Sequence, residues 1–266
     1  MNIIDAFKNV KMYDLTQKIS HLTPAWPTYE PLEIKFFKRL SSNGANGQVL
    51  THSNHVGTHL DGSLHFCTHG RDIASIPLEE LVGPAVVVDI SDIAEDYGIY
   101  TSKDIMARAD VRKGDILIIH TGYHKYGWDE PEADEERVMM RHPGPTREFV
   151  AWCKEMEFKW IGVDCGSADH PMNTKIREWA PKEARRAEKY LQAKYGKGIE
   201  DFWPEDDYQF MHYDLFPINI IHAENLGGDI DKVLGKRLIV GCFPWRFEGG
   251  ESCISRIVAF DAEQDV

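Results

Sequence analysis

The chain reads as a single mixed α/β domain, and three observations predict it. Short Val- and Ile-rich runs have strand length, amphipathic helical stretches lie between them, and no repeat or Gly/Ser linker divides the sequence. The apolar runs fall at 85–90, 115–120, 160–163, 218–221, 238–242 and 254–260. Between Thr146 and Phe158, the residues Phe149, Val150, Cys153 and Met156 recur at helical spacing behind a threonine suited to an N-cap, so a helix feeds the strand at 160. The stretch 176–195 is rich in strong helix formers; Pro181 marks the start of the helix proper, and its mixed charges read as a solvated face. The acidic run 129–136, with Pro131 inside it, reads as an exposed loop or a helix start.

Composition narrows the function classes. With 43 acidic against 30 basic residues the net charge is -13, and no basic cluster tracks a phosphate backbone, so nucleic acid is not an expected partner. No run approaches the length of a membrane span and the first twenty residues lack an apolar signal core, which predicts a cytoplasmic protein that does not engage membranes. Cys67, Cys153, Cys165, Cys242 and Cys253 are scattered, odd in number and without a CxxC pair. They are therefore read as small buried hydrophobes rather than as disulfides or thiolate ligands.

The densest chemical signal is HSNHVGTHLDGSLHFCTH, residues 52–69, which holds five of the twelve histidines beside Asp61. Taken singly, a histidine is more often a surface or satisfied core residue than a ligand; clustering reverses that expectation. Gly57 and Gly62 disfavour a continuous helix, and in an extended segment His59 and Asp61 project to one side, while bends at the glycines bring His55 inward. An imidazole and a carboxylate on one side suit a divalent cation. His65 is read as a further ligand or as a proton carrier, and His52 and His69 as ordinary polar residues outside the register. A closed centre needs further donors, and the expected source is 212–224, where Glu224 follows an apolar stretch at a strand end, with His222 a competing candidate.

The run His55-Val-Gly57-Thr58-His59-Leu-Asp61 followed by His65-Phe66 resembles the HxGTHxDxPxHF signature of the cyclase-like metal-dependent hydrolases, the family of kynurenine formamidase and isatin hydrolase. His212 and Glu224 reproduce the family's late His/Glu pair twelve positions apart. Similarity continues through Trp26-Pro27, Thr121-Gly122, His142-Pro143-Gly144, Gly162-Val163-Asp164, Glu224-Asn225-Leu226 and Arg256, so it covers nearly the whole chain. The resemblance implies a swivelling β/β/α fold with a mixed sheet, a homodimer or homotetramer, and a centre of one or two ions. By carry-over His55, His59 and Asp61 bind the first ion, Asp61 and Glu224 bridge, and His212 joins the second. His65 becomes the acid/base, and Trp26 and Phe66 meet the substrate. Ser63 stands where the signature has proline. A helical segment at about 171–211 reads as an insertion within one domain spanning 1–266, either a lid or an oligomer interface.

These readings imply a hydrolase that cleaves a small cyclic amide, lactone or related carbonyl compound by attack of metal-bound hydroxide. Zn²⁺ is the first expectation for the metal and Mn²⁺ the second. An arylformamidase acting on an N-formylkynurenine-type substrate is the alternative within the class, and an idle metal or small-ligand binding protein the alternative outside it. Ser63, Cys165 and Ser167 lack a GxSxG elbow or a matched base, so none is read as a nucleophile.

Overall fold

The structure, a computed structural model, describes residues 7–262. Residues 1–6, part of the leading stretch that lacks a signal core, and 263–266 lie outside the described residues. The strands run in chain order as β1 (Val10–Asp14), β2 (Glu33–Lys38), β3 (Gly47–Thr51), β4 (His59–Asp61), β5 (Val82–Asp89) and β6 (Ile99–Tyr100). They continue as β7 (Ile116–His120), β8 (Gly144–Pro145), β9 (Trp160–Val163), β10 (Ile221–Glu224), β11 (Arg237–Pro244) and β12 (Ser252–Ala262). The main sheet has the order β1-β12-β11-β5-β7-β9-β10-β4, and β4 also pairs with β12. That last pairing closes seven strands into a barrel.

Closure depends on the length of β12. One of its edges binds β11 through Ser255–Phe260, while the other binds β4 through Ser252–Ile254 and then β1 through Val258–Ala262. β5, β7, β9 and β10 are mutually parallel, and β4, β11 and β12 enter antiparallel, so the sheet is mixed.

The two faces of the parallel strands go to two cores. Ala85, Val87, Ile116, Ile118, Trp160 and Ala223 point into the barrel with Leu60 and Val240. Val86, Val88, Leu117, Ile119, Ile161 and Val163 point outward, under the helices α1 (Glu135–Met140), α2 (Arg147–Met156), α3 (Pro181–Tyr195) and α4 (Phe210–Leu215). Burial on both faces is why these strands are unbroken apolar runs in the sequence. The side chain of Asp134 caps α1, accepting from Arg137 N, so the acidic run is both a loop and a helix start. Thr146 occupies the N-cap position of α2 but makes no side-chain cap bond there. α3 begins at Pro181 and ends at Gly196, whose φ of +67° takes the left-handed turn that glycine tolerates.

The strand expected at 218–221 is displaced. Phe216–Ile218 form a 3-10 turn, Asn219 is left-handed (φ 62°), and the strand occupies Ile221–Glu224. The side chain of Asn219 accepts from Arg71 Nε at 3.0 Å, a long-range tie that holds it out of strand geometry. The hairpin β2–β3 is absent from the sequence reading because it is exposed on nearly every residue and lacks an alternating apolar face. No helix among the described residues is long and apolar enough to cross a membrane. The five cysteines are free and four are buried, Cys67 being intermediate.

The interior packing has a direct test. Ile118 is fully buried inside the barrel, so I118A should lower unfolding stability by about 2–5 kcal/mol, read from urea denaturation. A loss below about 1 kcal/mol would mean that the barrel interior is not close-packed there.

Candidate metal centre and active site

The histidine-rich segment folds as an extended stretch with bends at its glycines. Gly57, at φ +60°, turns the chain so that His55 Nδ1 lies 3.3 Å from His59 Nε2. Thr58 fastens the turn, donating to Asn225 O at 2.6 Å and accepting from Gln17 N at 2.9 Å. Along β4, Leu60 fills the barrel, so strand alternation sends His59 and Asp61 to the outer face. β10 repeats the pattern: Ala223 points inward and His222 and Glu224 outward, with His59 opposite Glu224 and Asp61 opposite His222 in register. His212 comes from α4, its Nδ1 held by Asp169 Oδ2 at 2.6 Å.

Five of the predicted side chains converge on one point. His55 Nδ1 lies 3.1 Å from Asp61 Oδ1, and His59 Nε2 lies 3.4 Å from the same oxygen and 3.6 Å from Glu224 Oε2. His212 Nε2 lies 3.6 Å from both Asp61 Oδ2 and Glu224 Oε1. Each carboxylate thus turns one oxygen toward His55 or His59 and the other toward His212. Donors around a four-coordinate ion with bonds of about 2.0–2.2 Å stand roughly 3.3–3.6 Å apart, close to the spacing found here. Asp61 Oδ1 is buried and accepts no hydrogen bond, which is costly unless a cation satisfies it. The donor set therefore fits divalent cations, with His222 a competing ligand: both its ring nitrogens are buried without partners, and it groups with His212 and Glu224.

The electrostatics show a site that favours positive charge. Burial, reinforced by the charge of Asp61, raises the carboxyl of Glu224 above the ordinary range. Burial drives the His59 ring down to about 4 against the pull of Asp61. For His55, burial acts downward but Asp61 and Glu251 outweigh it, lifting the ring to about 10. His212 likewise rises to about 10, because Asp169 and Asp61 overcome burial. Two buried carboxylates therefore draw positive charge to this point, and a divalent cation supplies it as well as protonated imidazoles do.

His65 lies beside the cluster, its ring 4.3 Å from that of His55, and its Nδ1 is 2.8 Å from Glu251 Oε2. The same oxygen lies 2.9 Å from His55 Nε2, and Asn54 donates to Glu251 Oε1 at 2.9 Å. Glu251 was missed by the sequence reading; its only signal is the Gly249-Gly250 turn before β12. Gly62 N donates to Glu251 O, and a Cβ on Gly62 would come within 3.2 Å of that oxygen, so the second glycine of the motif sets where Glu251 stands. Asp169 was missed too, for it lies five residues beyond Asp164 with no motif around it.

A cavity of about 100 Å³ opens onto the cluster, its walls including Trp26, Tyr29, Phe66, Trp179, Tyr208 and Gln209. Trp26 is placed by its backbone N–H donating to His55 O. Phe66 packs 4.8 Å from the ring of His212. Among the other aromatics of 171–211, Trp203 is buried and stacked on His170, and Phe202 packs on Tyr195 and Trp203. Ser63 hydrogen-bonds within the Arg71 loop, Cys165 is buried, and Ser167 reaches the cavity wall with its hydroxyl accepting from Asp169 N. His52 bonds its neighbour's carbonyl, outside the cluster.

Comparison with known proteins shows the family and the fold. Residues 13–170 match the Cyclase family, described as "Putative cyclase". Kynurenine formamidase of Geobacillus thermodenitrificans is 26% identical over 163 residues, covering 61% of this chain and 71% of the relative. That of Bacillus mycoides is also 26% identical, over 63% of this chain and 74% of the relative. Among solved structures, isatin hydrolase A from Ralstonia solanacearum superposes with a TM-score of 0.71 at 20% identity, covering 95% of this chain and 92% of that one. Isatin hydrolase A from Labrenzia aggregata, bound to benzyl benzoate, gives 0.74 at 18% identity, covering 98% of each.

Asp169 offers a test of the centre that leaves every candidate ligand in place. D169N keeps the side-chain shape but removes the charge that orients His212, and zinc affinity should fall roughly 10–100-fold in competition with a chromophoric chelator. An unchanged affinity would mean that His212 does not bind metal.

Proposed function

The chain belongs to the Cyclase family, and from that premise we propose that it is a metal-dependent hydrolase opening a small cyclic amide, lactone or related carbonyl compound. The observation that carries this reading is the convergence of His55, His59, Asp61, His212 and Glu224, each carboxylate presenting an oxygen to both histidine groups. In this reading His55, His59 and Asp61 would hold a first ion and His212 would join a second, with Asp61 and Glu224 serving both. Zinc suits the mixed nitrogen and oxygen donors, with manganese next. A cation bound there supplies Lewis-acid polarisation of the carbonyl and lowers the pKa of water from about 15.7 toward 7.

The chain's own residues do the remaining work. Glu251 fixes the His65 ring through Nδ1, so Nε2 is the nitrogen left to exchange a proton. His65 takes the proton released by the attacking water and delivers it to the leaving nitrogen or oxygen, a role worth on the order of 10² to 10⁴ in rate. Trp26, Tyr29, Phe66 and Tyr208 wall the cavity and favour a flat, aromatic substrate. They also support the second reading, an arylformamide, which the named activity of the 26% identical relatives favours. The exposed apolar side chains of the β2–β3 hairpin, Phe37, Val49 and Leu50 among them, support the homodimer or homotetramer, which mass measurement in solution tests.

Chelation should abolish turnover of the responsive substrate in a screen of isatin-like cyclic amides, lactones, cyclic imides and arylformamides, and metal add-back should restore it. Full turnover by metal-free protein would end the proposal, and ligand-induced stabilisation without product under metal-loaded conditions would point to a binding protein instead. H65A should retain its metal and lose about 10² to 10⁴ in kcat. Loss of metal in that variant would make His65 a ligand rather than the proton carrier.

A further inference from the structure

The outward face of the barrel carries the cluster described above; a second group of histidines and carboxylates stands on the inward face, at one rim. Strand register pairs Asp89 with His120 and Ile119 with Val163, so Asp89, His120 and Asp164 form a row across the ends of β5, β7 and β9. Ile118 and Val87 point inward, and alternation sends His120 and Asp89 the same way. His124, one turn beyond β7, and Asp231, in the 3-10 turn before β11, complete the group. None of these residues enters the proposed chemistry.

We propose that this rim is a second divalent-cation site, with His120 Nε2, His124 Nδ1 and Asp164 Oδ2 as its donors and Asp231 at its mouth. Three observations carry it. First, His120 Nδ1 lies 2.8 Å from Asp89 Oδ1, the outer carboxylate contact that fixes the tautomer of a metal-binding imidazole and leaves Nε2 as the donor. His124 repeats the device, with Nε2 held by Asp231 Oδ2 at 3.3 Å and Nδ1 hydrogen-bonded to Asp164 Oδ2 at 3.1 Å, the contact a cation would replace.

Second, His120 is 3% exposed and its Nε2 makes no hydrogen bond, although it lies 3.2 Å from Asp231 Oδ1 and 3.8 Å from Asp164 Oδ2. A buried imidazole nitrogen aimed at two carboxylate oxygens without hydrogen-bond alignment wants a cation between them. Third, the donors are spaced for one. His124 Nδ1 is 3.1 Å and His120 Nε2 3.8 Å from Asp164 Oδ2, and the donor atoms of the three residues all lie within 4.8 Å of one another, near the roughly 3.3–3.6 Å expected around a four-coordinate ion. Hydrogen bonds hold Asp164 rigidly in place. Thr121 N and Oγ1 donate to its Oδ1, and Gly122 N donates to Oδ2, leaving a lone pair of Oδ2 toward the histidines.

Two imidazoles and a carboxylate suit zinc with one position left open, and Asp231, with a side chain 63% exposed, opens the site to solvent. Such an ion would pin the ends of three parallel strands and the turn before β11, away from the proposed chemistry.

The test equilibrates metal-free protein with zinc, counts bound metal by elemental analysis, and locates it by anomalous diffraction at the zinc edge. The unaltered chain should hold one zinc more than H120Q, with an anomalous peak between His120 and Asp164. D231N, altered at an exposed side chain that leaves the fold intact, should raise the dissociation constant of that ion roughly 10–100-fold without changing turnover. Equal zinc content and affinity in all three proteins, with no peak at the rim, would overturn the site. Because the count is made on whole protein and not through activity, it stands or falls separately from the catalytic reading.

Discussion

β4 is three residues long, yet it hydrogen-bonds to β10 on one side and to β12 on the other. Without those pairings the sheet would have open edges at β10 and β12, and Leu60 would leave the barrel interior. The same three residues present His59 and Asp61 on the opposite face. A strand cannot slip by one position without exchanging its faces, so the register that closes the barrel also sets the candidate centre. Thr58 and Gly62, which flank β4, tie it to Asn225 and Glu251, and through them to the remaining parts of the site.

Both donor groups use one sheet in two ways. Strand alternation divides the polar side chains between the outer face, where Asp61 and Glu224 meet three histidines, and the inner rim, where Asp164 meets two. In each, a histidine is oriented by a carboxylate that is not itself among the converging donors: Asp169 for His212 and Asp89 for His120. Burying carboxylates beside imidazoles costs more than their mutual hydrogen bonds return. Retaining them in two places is a physical reason to expect cations in both.

Much of the site was legible because its residues are local. His55, His59, Asp61 and His65 occupy eleven consecutive positions, and the geometry of an extended segment suffices to face His59 and Asp61 together. The parallel strands were legible because both their faces are buried, which writes them as apolar runs. Glu251 and Asp169 were not legible, since each acts through a contact with a residue far away in sequence and stands in a turn without periodicity. The displaced strand before Glu224 belongs to the same kind of error: Asn219 leaves strand geometry where Arg71, 148 positions away, meets its side chain.

What the sequence determined alone was the mixed α/β class, the twofold burial of the central strands and the clustering of candidate donors at His55, His59, Asp61 and His65, because local spacing and side-chain chemistry encode these. Tertiary structure decided which oxygen of Asp61 and Glu224 faces which histidine, that Glu251 orients His65, and that Asp164 belongs to the barrel rim rather than to the outer cluster. Those outcomes depend on strand register and barrel closure, which are cooperative properties of pairings between segments up to 252 residues apart (262 minus 10) and so are written in no single stretch of chain.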